Sequence, residues 1–418
     1  MNEENRRGYE WRIVILLAIL WGFAAMDRMS ITYLFPQIVP ELKLSNTQAG
    51  MLTSAVALTY AIAVWFFGSI SDRIGRKKVI VPAAIFFSVA SWLTGVMRSF
   101  FSMAIIRGLM GIGDGGIFSP SMAAIAEESA PQRRGLNLGV FICTFPLIGQ
   151  GLGAIISTQL AASYGWRWTF FIVGIPGMIL ALLLMKVMRE PPSIMQRRKL
   201  LASGGKPVRI PFAEIIRYRN VWLCAIVGAL FLSFVFVFGA FAPLYLAKVH
   251  GLDIKTVGFI MSAVGAGGVL GLIIMPWISD YLGRKPILVI CLFSAGLGVF
   301  VFASVGNHPI LLFTTIFITL FLSGGGTPIA LGTVPSESVP KEVIGTAIGI
   351  ITGFGELIGG MLMPAIAGLL ADKYSLTVAL YLAVIGPITG GLLAFFTIET
   401  APRVLSKRIA KQNIPGLA

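Results

Sequence analysis

The sequence is short of charge. Of its 418 residues only 12% are Asp, Glu, Lys or Arg, while 56% are hydrophobic. A soluble chain of this length needs about twice that share of charge to cover its surface, so a soluble globular protein is excluded. Acids are scarcer still, 18 against 33 bases, which leaves a formal charge of +15. The bases sit in short segments between long apolar runs, which removes nucleic acid from the expected partners. There are three cysteines, Cys143, Cys224 and Cys291, each inside an apolar run, so no disulfide framework is implied. No Asn-x-Ser/Thr site marks a glycosylated face, and no Gly-x-x-x-x-Gly-Lys-Ser/Thr loop makes the chain its own ATPase. The two histidines, His250 and His308, fall at expected loop ends. Neither a cofactor nor a resident metal is expected, and nothing suggests an enzyme.

Long apolar runs are what the chain does have. Its mean hydropathy is +0.86, and its 48 glycines suit helices that pack closely in lipid. Crossing about 30 Å of hydrocarbon takes about 20 helical residues. Twelve runs qualify, near 11–37, 46–70, 79–97, 101–126, 135–162, 167–188, 219–246, 255–278, 286–304, 309–335, 343–370 and 376–398. The expected fold is an all-α integral membrane protein with the lipid bilayer as its surroundings. The charged start, "MNEENRRGYEWR", leads into an apolar run that continues through Asp27 and Arg28, so it reads as an uncleaved first span rather than a signal peptide.

Between the sixth and seventh runs lies the longest polar stretch, rich in Pro, Gly and basic residues. It divides the chain into an N-terminal six-helix bundle (1–190), a linker (191–218), a C-terminal six-helix bundle (219–400) and a tail (401–418). With both termini cytoplasmic, about three quarters of the Lys and Arg residues lie on the cytoplasmic side, as the positive-inside rule requires. The expected location is the cell membrane. "SDRIGRKK" (Ser71 to Lys78) after span two is echoed by "SDYLGRKP" (Ser279 to Pro286) after span eight. "ESAP" (Glu128 to Pro131) is echoed at nearly the same offset by "ESVP" (Glu337 to Pro340). Two matches at nearly one offset indicate a six-helix unit used twice, which is one plan of secondary transporters.

These segments carry a resemblance. "GSISDRIGRKK" (Gly68 to Lys78) resembles the loop signature of the major facilitator superfamily, "RGLMGIGDG" (Arg107 to Gly115) its span-four pattern, and "PQRRG" (Pro131 to Gly135) the loop after it. The resemblance covers about residues 11–400. It implies two pseudo-symmetric six-helix bundles that rock around a midplane site and a chain that works as a monomer. Independently of the family, Gly68 lets backbones approach, and Asp72 at a helix end can meet a basic side chain or the positive end of a neighbouring helix. Such a contact can act as a gate, and the basic residues beside it set topology. "GIGDGG" (Gly111 to Gly116) also fits a dinucleotide fingerprint, but it lies inside an apolar helix with no preceding strand and reads as helix packing.

Five ionisable side chains remain deep in the spans: Asp27, Arg28, Arg107, Asp114 and Glu356. Each costs about 2.5–3.5 kcal/mol at the bilayer centre on insertion scales, so each demands a reason. Residues 107 and 114 are two turns apart and share a helix face, about 10 Å apart along the axis, with Gly111 and Gly115 on the same stripe leaving space beside it. One reading is two structural ion pairs between spans one and four. The other is function: an arginine grips a carboxylate bidentately, while a nearby acid that competes for it exchanges protons.

The set resembles one branch of the superfamily, the anion:cation symporters of sugar acids, hexuronates, aromatic acids and glutamate. That resemblance implies that Arg28 binds a substrate carboxylate and Tyr60 hydrogen-bonds it. It also implies that Asp27 and Asp114 handle protons, and that Arg107 pairs with an acid in span one or four. Gln150 is a candidate for substrate hydroxyls, with an interhelical hydrogen bond as the alternative. Glu356, among small residues in "GFGELIGG", is a candidate substrate or proton site. The expected function is proton-coupled import of a small organic anion by alternating access, with a proton-coupled exporter of drugs as the alternative.

Overall fold

The computed structural model describes residues 3–130, 132–190, 217–340 and 344–406. Most of the expected linker and the end of the tail therefore lie outside the described residues. Among the described residues, twelve helices are long and apolar enough to cross a membrane: Gly8–Glu41, Asn46–Ile74, Lys77–Val96, Phe100–Glu128, Arg134–Tyr164, Trp166–Val187, Arg219–Lys248, Ile254–Leu282, Arg284–Ser304, Pro309–Ser338, Thr346–Lys373 and Leu376–Ala394. They are spans one to twelve below. Among the described residues there is no strand. The helix ends have local causes. Ser45 and Gln48 form a reciprocal capping box at the start of span two. Ser99 and Ser375 accept from main-chain N–H groups at the starts of spans four and twelve.

Spans two and eight end alike. Gly75 and Gly283 hold φ of 112° and 113°, a region that L side chains avoid, and each starts the turn into the next span. The ion pairs around these turns repeat too. Arg76 Nη2 meets Asp72 at 2.5 Å and Glu127 at 2.8 Å, and its Nη1 donates to Ser71 Oγ. In the second half, Arg284 Nη2 meets Asp280 at 2.6 Å and Glu337 at 3.0 Å, and its Nη1 donates to Ser279 Oγ at 2.7 Å. Burial alone would lower the pKa of the Arg76 guanidinium, but Glu127 and Asp72 outweigh it and raise it. Glu190 accepts from Lys78 N at 3.3 Å, and Glu399 accepts from Arg284 N at 2.8 Å and Lys285 N at 3.1 Å. Each glutamate caps the first turn of the following span.

One detail of the repeat differs from the sequence echo. The matching "ESAP" and "ESVP" put Glu128 opposite Glu337, yet the residue that pairs with Arg76 is Glu127. Span ten contains a wide π turn at Ile329–Thr333. Such a turn takes up one more residue than an α turn, which shifts the carboxylate by one position.

Contacts divide the chain into two compact units, Met1–Val208 with Pro243–Gly265, and Arg209–Ala242 with Ala266–Ala418. In the first unit, span four packs on span two through its glycines. A methyl group at Gly111 would strike Val56 O and Thr59, and one at Gly115 would strike Ala63 and Val64 N. The stripe read as leaving space is filled by the span-two backbone. In the second unit, Gly359 brings span eleven against Ala229, Leu232 and Ser233 of span seven. All three cysteines are free.

Candidate functional site

The first unit gathers four of the five charges expected deep in the spans. Asp27 and Asp114 are fully buried, Arg107 is 1% exposed and Arg28 is 6% exposed. Neighbouring positions on a helix point about 100° apart, and Asp27 and Arg28 accordingly reach different helices. Asp27 Oδ1 accepts a hydrogen bond from Ser91 Oγ of span three at 2.8 Å. The Arg28 guanidinium lies over the Tyr60 ring of span two, 4.6 Å from its centroid, a cation–π contact strengthened by burial.

Arg107 forms no ion pair within 4 Å among the described residues. Its Nη2 donates to the Arg28 carbonyl at 2.8 Å, and its Nη1 lies 3.0 Å from the Met110 sulfur. Asp27, Asp114 and Arg28 are all within electrostatic reach of it. Asp114 in turn feels Arg28, Arg107 and Asp27, although neither of its oxygens has a hydrogen-bond partner among the described residues. The four charges therefore form one electrostatically coupled cluster, and they sum to zero when all are ionised. A buried charge without a direct partner is costly, and among these four it is the Asp114 carboxylate that has no hydrogen-bond partner among the described residues.

The remaining candidates are spread out. Gln150 lies in span five within a π turn, Phe145–Leu152, and its carbonyl accepts from Tyr33 Oη of span one at 3.3 Å. Ser30 and Ser157 tie the same two helices at 2.6 Å. Glu356 belongs to the second unit, where it is 9% exposed and opens a second π turn, Glu356–Leu362. Such turns are frequent at functional sites. Asp72 stands apart in the loop cluster with Arg76.

Sequence reasoning missed Ser91, a serine in an apolar run with nothing in its spacing to distinguish it. It also missed the aromatic residues beside Tyr60. Phe118 lies 6.2 Å from Tyr60, and Trp21 lies 4.8 Å from Phe118, centroid to centroid. The available signal was periodicity: Trp21 is two turns before Arg28, and Phe118 one turn after Asp114. Among the described residues, no group of three or more His, Cys, Asp or Glu side chains could hold a metal ion.

Comparison with known proteins places this geometry in context. Residues 17–360 match the family model of the Major Facilitator Superfamily. The chain is 27% identical to a hexuronate transporter of Bacillus subtilis (strain 168), over 92% of each chain. It is 29% identical to a cis,cis-muconate transport protein of Acinetobacter baylyi, covering 90% of this chain and 91% of that one. Among solved structures, a bacterial homolog to the human lysosomal transporter Spinster superposes with a TM-score of 0.73 at 18% identity, over 98% of this chain and 99% of that chain. At that identity the likeness speaks for the fold.

Proposed function

Because the chain belongs to the Major Facilitator Superfamily, a family of membrane transporters rather than enzymes, we propose that it imports a small organic anion together with protons by alternating access. The observation that carries this reading is the Arg28 guanidinium, nearly buried against Tyr60 and coupled to Asp114 and Arg107. A planar, permanently charged fork in a low-dielectric setting is suited to bidentate recognition of a carboxylate. The relatives named for hexuronate and cis,cis-muconate carry acids, which supports the same class of cargo here.

Charge balance supports proton coupling. A monocarboxylate that takes Arg28 adds one negative charge to a cluster that sums to zero. A proton on Asp114 restores neutrality, and Asp114 feels Arg28 before any other countercharge. Asp27 is the second proton-handling candidate, oriented by Ser91, and Arg107 couples the two acids. Tyr60 orients Arg28 and offers its hydroxyl to the cargo. Gln150 and Glu356 are assigned to the cargo from their midspan positions, and Asp72 to a gate through its pairing with Arg76. In this reading the six-helix halves 1–190 and 219–400 are the moving bodies, both termini are cytoplasmic, and the protein works in the cell membrane as a monomer.

The test is uptake into proteoliposomes of labelled carboxylates, with and without an inward proton gradient. Wild type accumulates the acid only with the gradient. Arg28→Ala abolishes binding and uptake, whereas Asp114→Asn abolishes gradient-driven accumulation and retains exchange. Normal uptake by Arg28→Ala refutes the anion grip, and undiminished accumulation by Asp114→Asn moves the proton site elsewhere.

A further inference from the structure

We propose that the cargo is an aromatic monocarboxylate with few hydroxyl groups, rather than a polyhydroxylated sugar acid. This rests on the anion-transport reading above and narrows it.

The surroundings of Arg28 are aromatic. From Tyr60, on which the guanidinium lies, a chain of ring contacts runs through Phe118 and Trp21 to Phe141 and Phe145. The centroid distances are 6.2 Å for Tyr60–Phe118, 4.8 Å for Trp21–Phe118, 6.0 Å for Trp21–Phe141 and 5.9 Å for Trp21–Phe145. These are the separations at which rings attract one another edge to face or offset. The rings come from spans one, two, four and five and are turned inward. Trp21 is 4% and Tyr60 7% exposed, whereas Trp65, also on span two, is 76% exposed. Trp21 and Arg28 share a helix face, about 10 Å apart along the axis. A carboxylate on Arg28 therefore lies beside an aromatic cluster in which Trp21, Tyr60 and Phe141 are packed in the core and Phe118 and Phe145 are partly exposed.

The hydroxyl partners that a sugar acid demands are scarce in the same unit. A site built to bind hydroxyls must present donors and acceptors that are otherwise unused. Here most buried or half-buried hydroxyls turn their protons back to helix carbonyls: Thr32 to Met29, Ser54 to Gly50, Thr59 to Ala55, Thr144 to Phe141 and Thr158 to Ala154. This leaves Thr53 Oγ1 and Ser121 Oγ as the buried hydroxyls of this unit without a partner among the described residues. The Ser91 hydroxyl is shared between Asp27 Oδ1 and the Phe170 carbonyl. Gln150 is left to meet a ring hydroxyl. The second unit, taken alone, repeats the pattern. Its span seven carries Phe231, Phe234 and Phe238 in ring contact, and Ser233 donates back to Leu230, with the buried Ser323 hydroxyl the exception.

The test is competition in proteoliposomes among benzoate, cyclohexanecarboxylate and glucuronate, with labelled benzoate as tracer. Cyclohexanecarboxylate keeps the size and charge of benzoate but has no ring face. Benzoate is expected to compete at least about tenfold better than either other acid. Phe118→Leu and the milder Trp21→Phe are expected to weaken benzoate severalfold and leave cyclohexanecarboxylate unchanged. Benzoate and cyclohexanecarboxylate competing equally would overturn recognition by rings. Glucuronate competing as well as benzoate, with both lost in Arg28→Ala, would overturn the aromatic class and leave the anion reading standing. If no carboxylate is taken up in an Arg28-dependent way, the anion reading itself fails.

Discussion

Arg107 holds Arg28 by its backbone. The Nη2 of Arg107 donates to the Arg28 carbonyl at 2.8 Å, so the guanidinium of span four grips the main chain of span one and leaves the Arg28 side chain to the face of Tyr60. Two arginines in one buried cluster would repel if both sought the same acid. Here one arginine secures the backbone that carries the other, and the acids Asp27 and Asp114 balance both charges through space.

The first prediction concerns that balance. Removing Arg107 leaves two buried acids against one base, and breaking a buried charge set by deleting one member costs about 3–5 kcal/mol. Arg107→Ala is expected to lower thermal stability by that order, and Arg107→Ala/Asp114→Asn to recover part of the loss. Thermal unfolding of the purified variants in one detergent measures both. If the double variant is no more stable than the single one, Asp114 is not a partner in the cluster's charge balance.

A second prediction follows from the zero sum of Asp27, Arg28, Arg107 and Asp114. A monocarboxylate entering with one proton leaves the cluster neutral, so its uptake carries no net charge. A membrane potential contributes about 2.3 kcal/mol per charge per 100 mV, which here multiplies zero. Initial rates of gradient-driven uptake are expected to be unchanged when a potassium–valinomycin potential is imposed. Acceleration by an inside-negative potential would show that a second proton enters, with Asp27 or Glu356 as its carrier.

Much of this architecture was legible in the sequence, because lipid imposes a simple rule. Each apolar run long enough to span became a helix, and the span-one helix merely runs further at both ends, over Glu3–Glu41. The charges of the cluster were legible for the converse reason: Asp27, Arg28, Arg107 and Asp114 stand out from apolar surroundings. Their partners were not legible. That Asp27 takes Ser91 and Arg107 takes a carbonyl depends on the rotation and depth of neighbouring helices, which one chain's periodicity does not determine. The π turns at Phe145–Leu152 and Glu356–Leu362 were hidden too, since a wide turn leaves no fixed residue pattern.

A third prediction lies outside the spans. Asp253 caps span eight: its Oδ1 accepts from Lys255 N at 3.0 Å and Thr256 N at 3.1 Å, and its Oδ2 from the Thr256 hydroxyl at 2.6 Å. These bonds, those from Thr256 foremost, hold the Asp253 carboxyl below its ordinary pKa. A carboxyl depressed in the folded state contributes stability that is fully present above its unfolded value, about 3.9. That contribution fades as pH falls through the lower folded value. Asp253→Ala is therefore expected to cost about 1 kcal/mol at neutral pH and progressively less below about pH 4. Thermal midpoints of wild type and variant across that range decide it, and a gap that stays constant into acid would mean that the carboxylate charge is not what caps the helix.

The last prediction separates two adjacent residues. The sequence echo aligns Glu128 with Glu337, whereas the ion pairs align Glu127 with it. The Arg76 side chain is 4% exposed and that of Glu127 22% exposed, so their bond is partly shielded from water. A hydrogen bond to a charged group in such a setting is worth about 1.5–3 kcal/mol. Glu127→Gln and Glu337→Gln are expected to destabilise the protein by similar amounts in that range, because each strips one of the two acids from an equivalent arginine. Glu128→Gln is expected to cost less than either, because Glu128 is not the acid that pairs with Arg76. The comparison also bears on the gate assigned to Asp72, which shares Arg76 with Glu127. If that pair restrains the turn between spans two and three during transport, Glu127→Gln alters the rate of exchange while the affinity for cargo stays put. Should Glu128→Gln prove the damaging change, the repeat follows the sequence echo and the π turn of span ten does not shift its register.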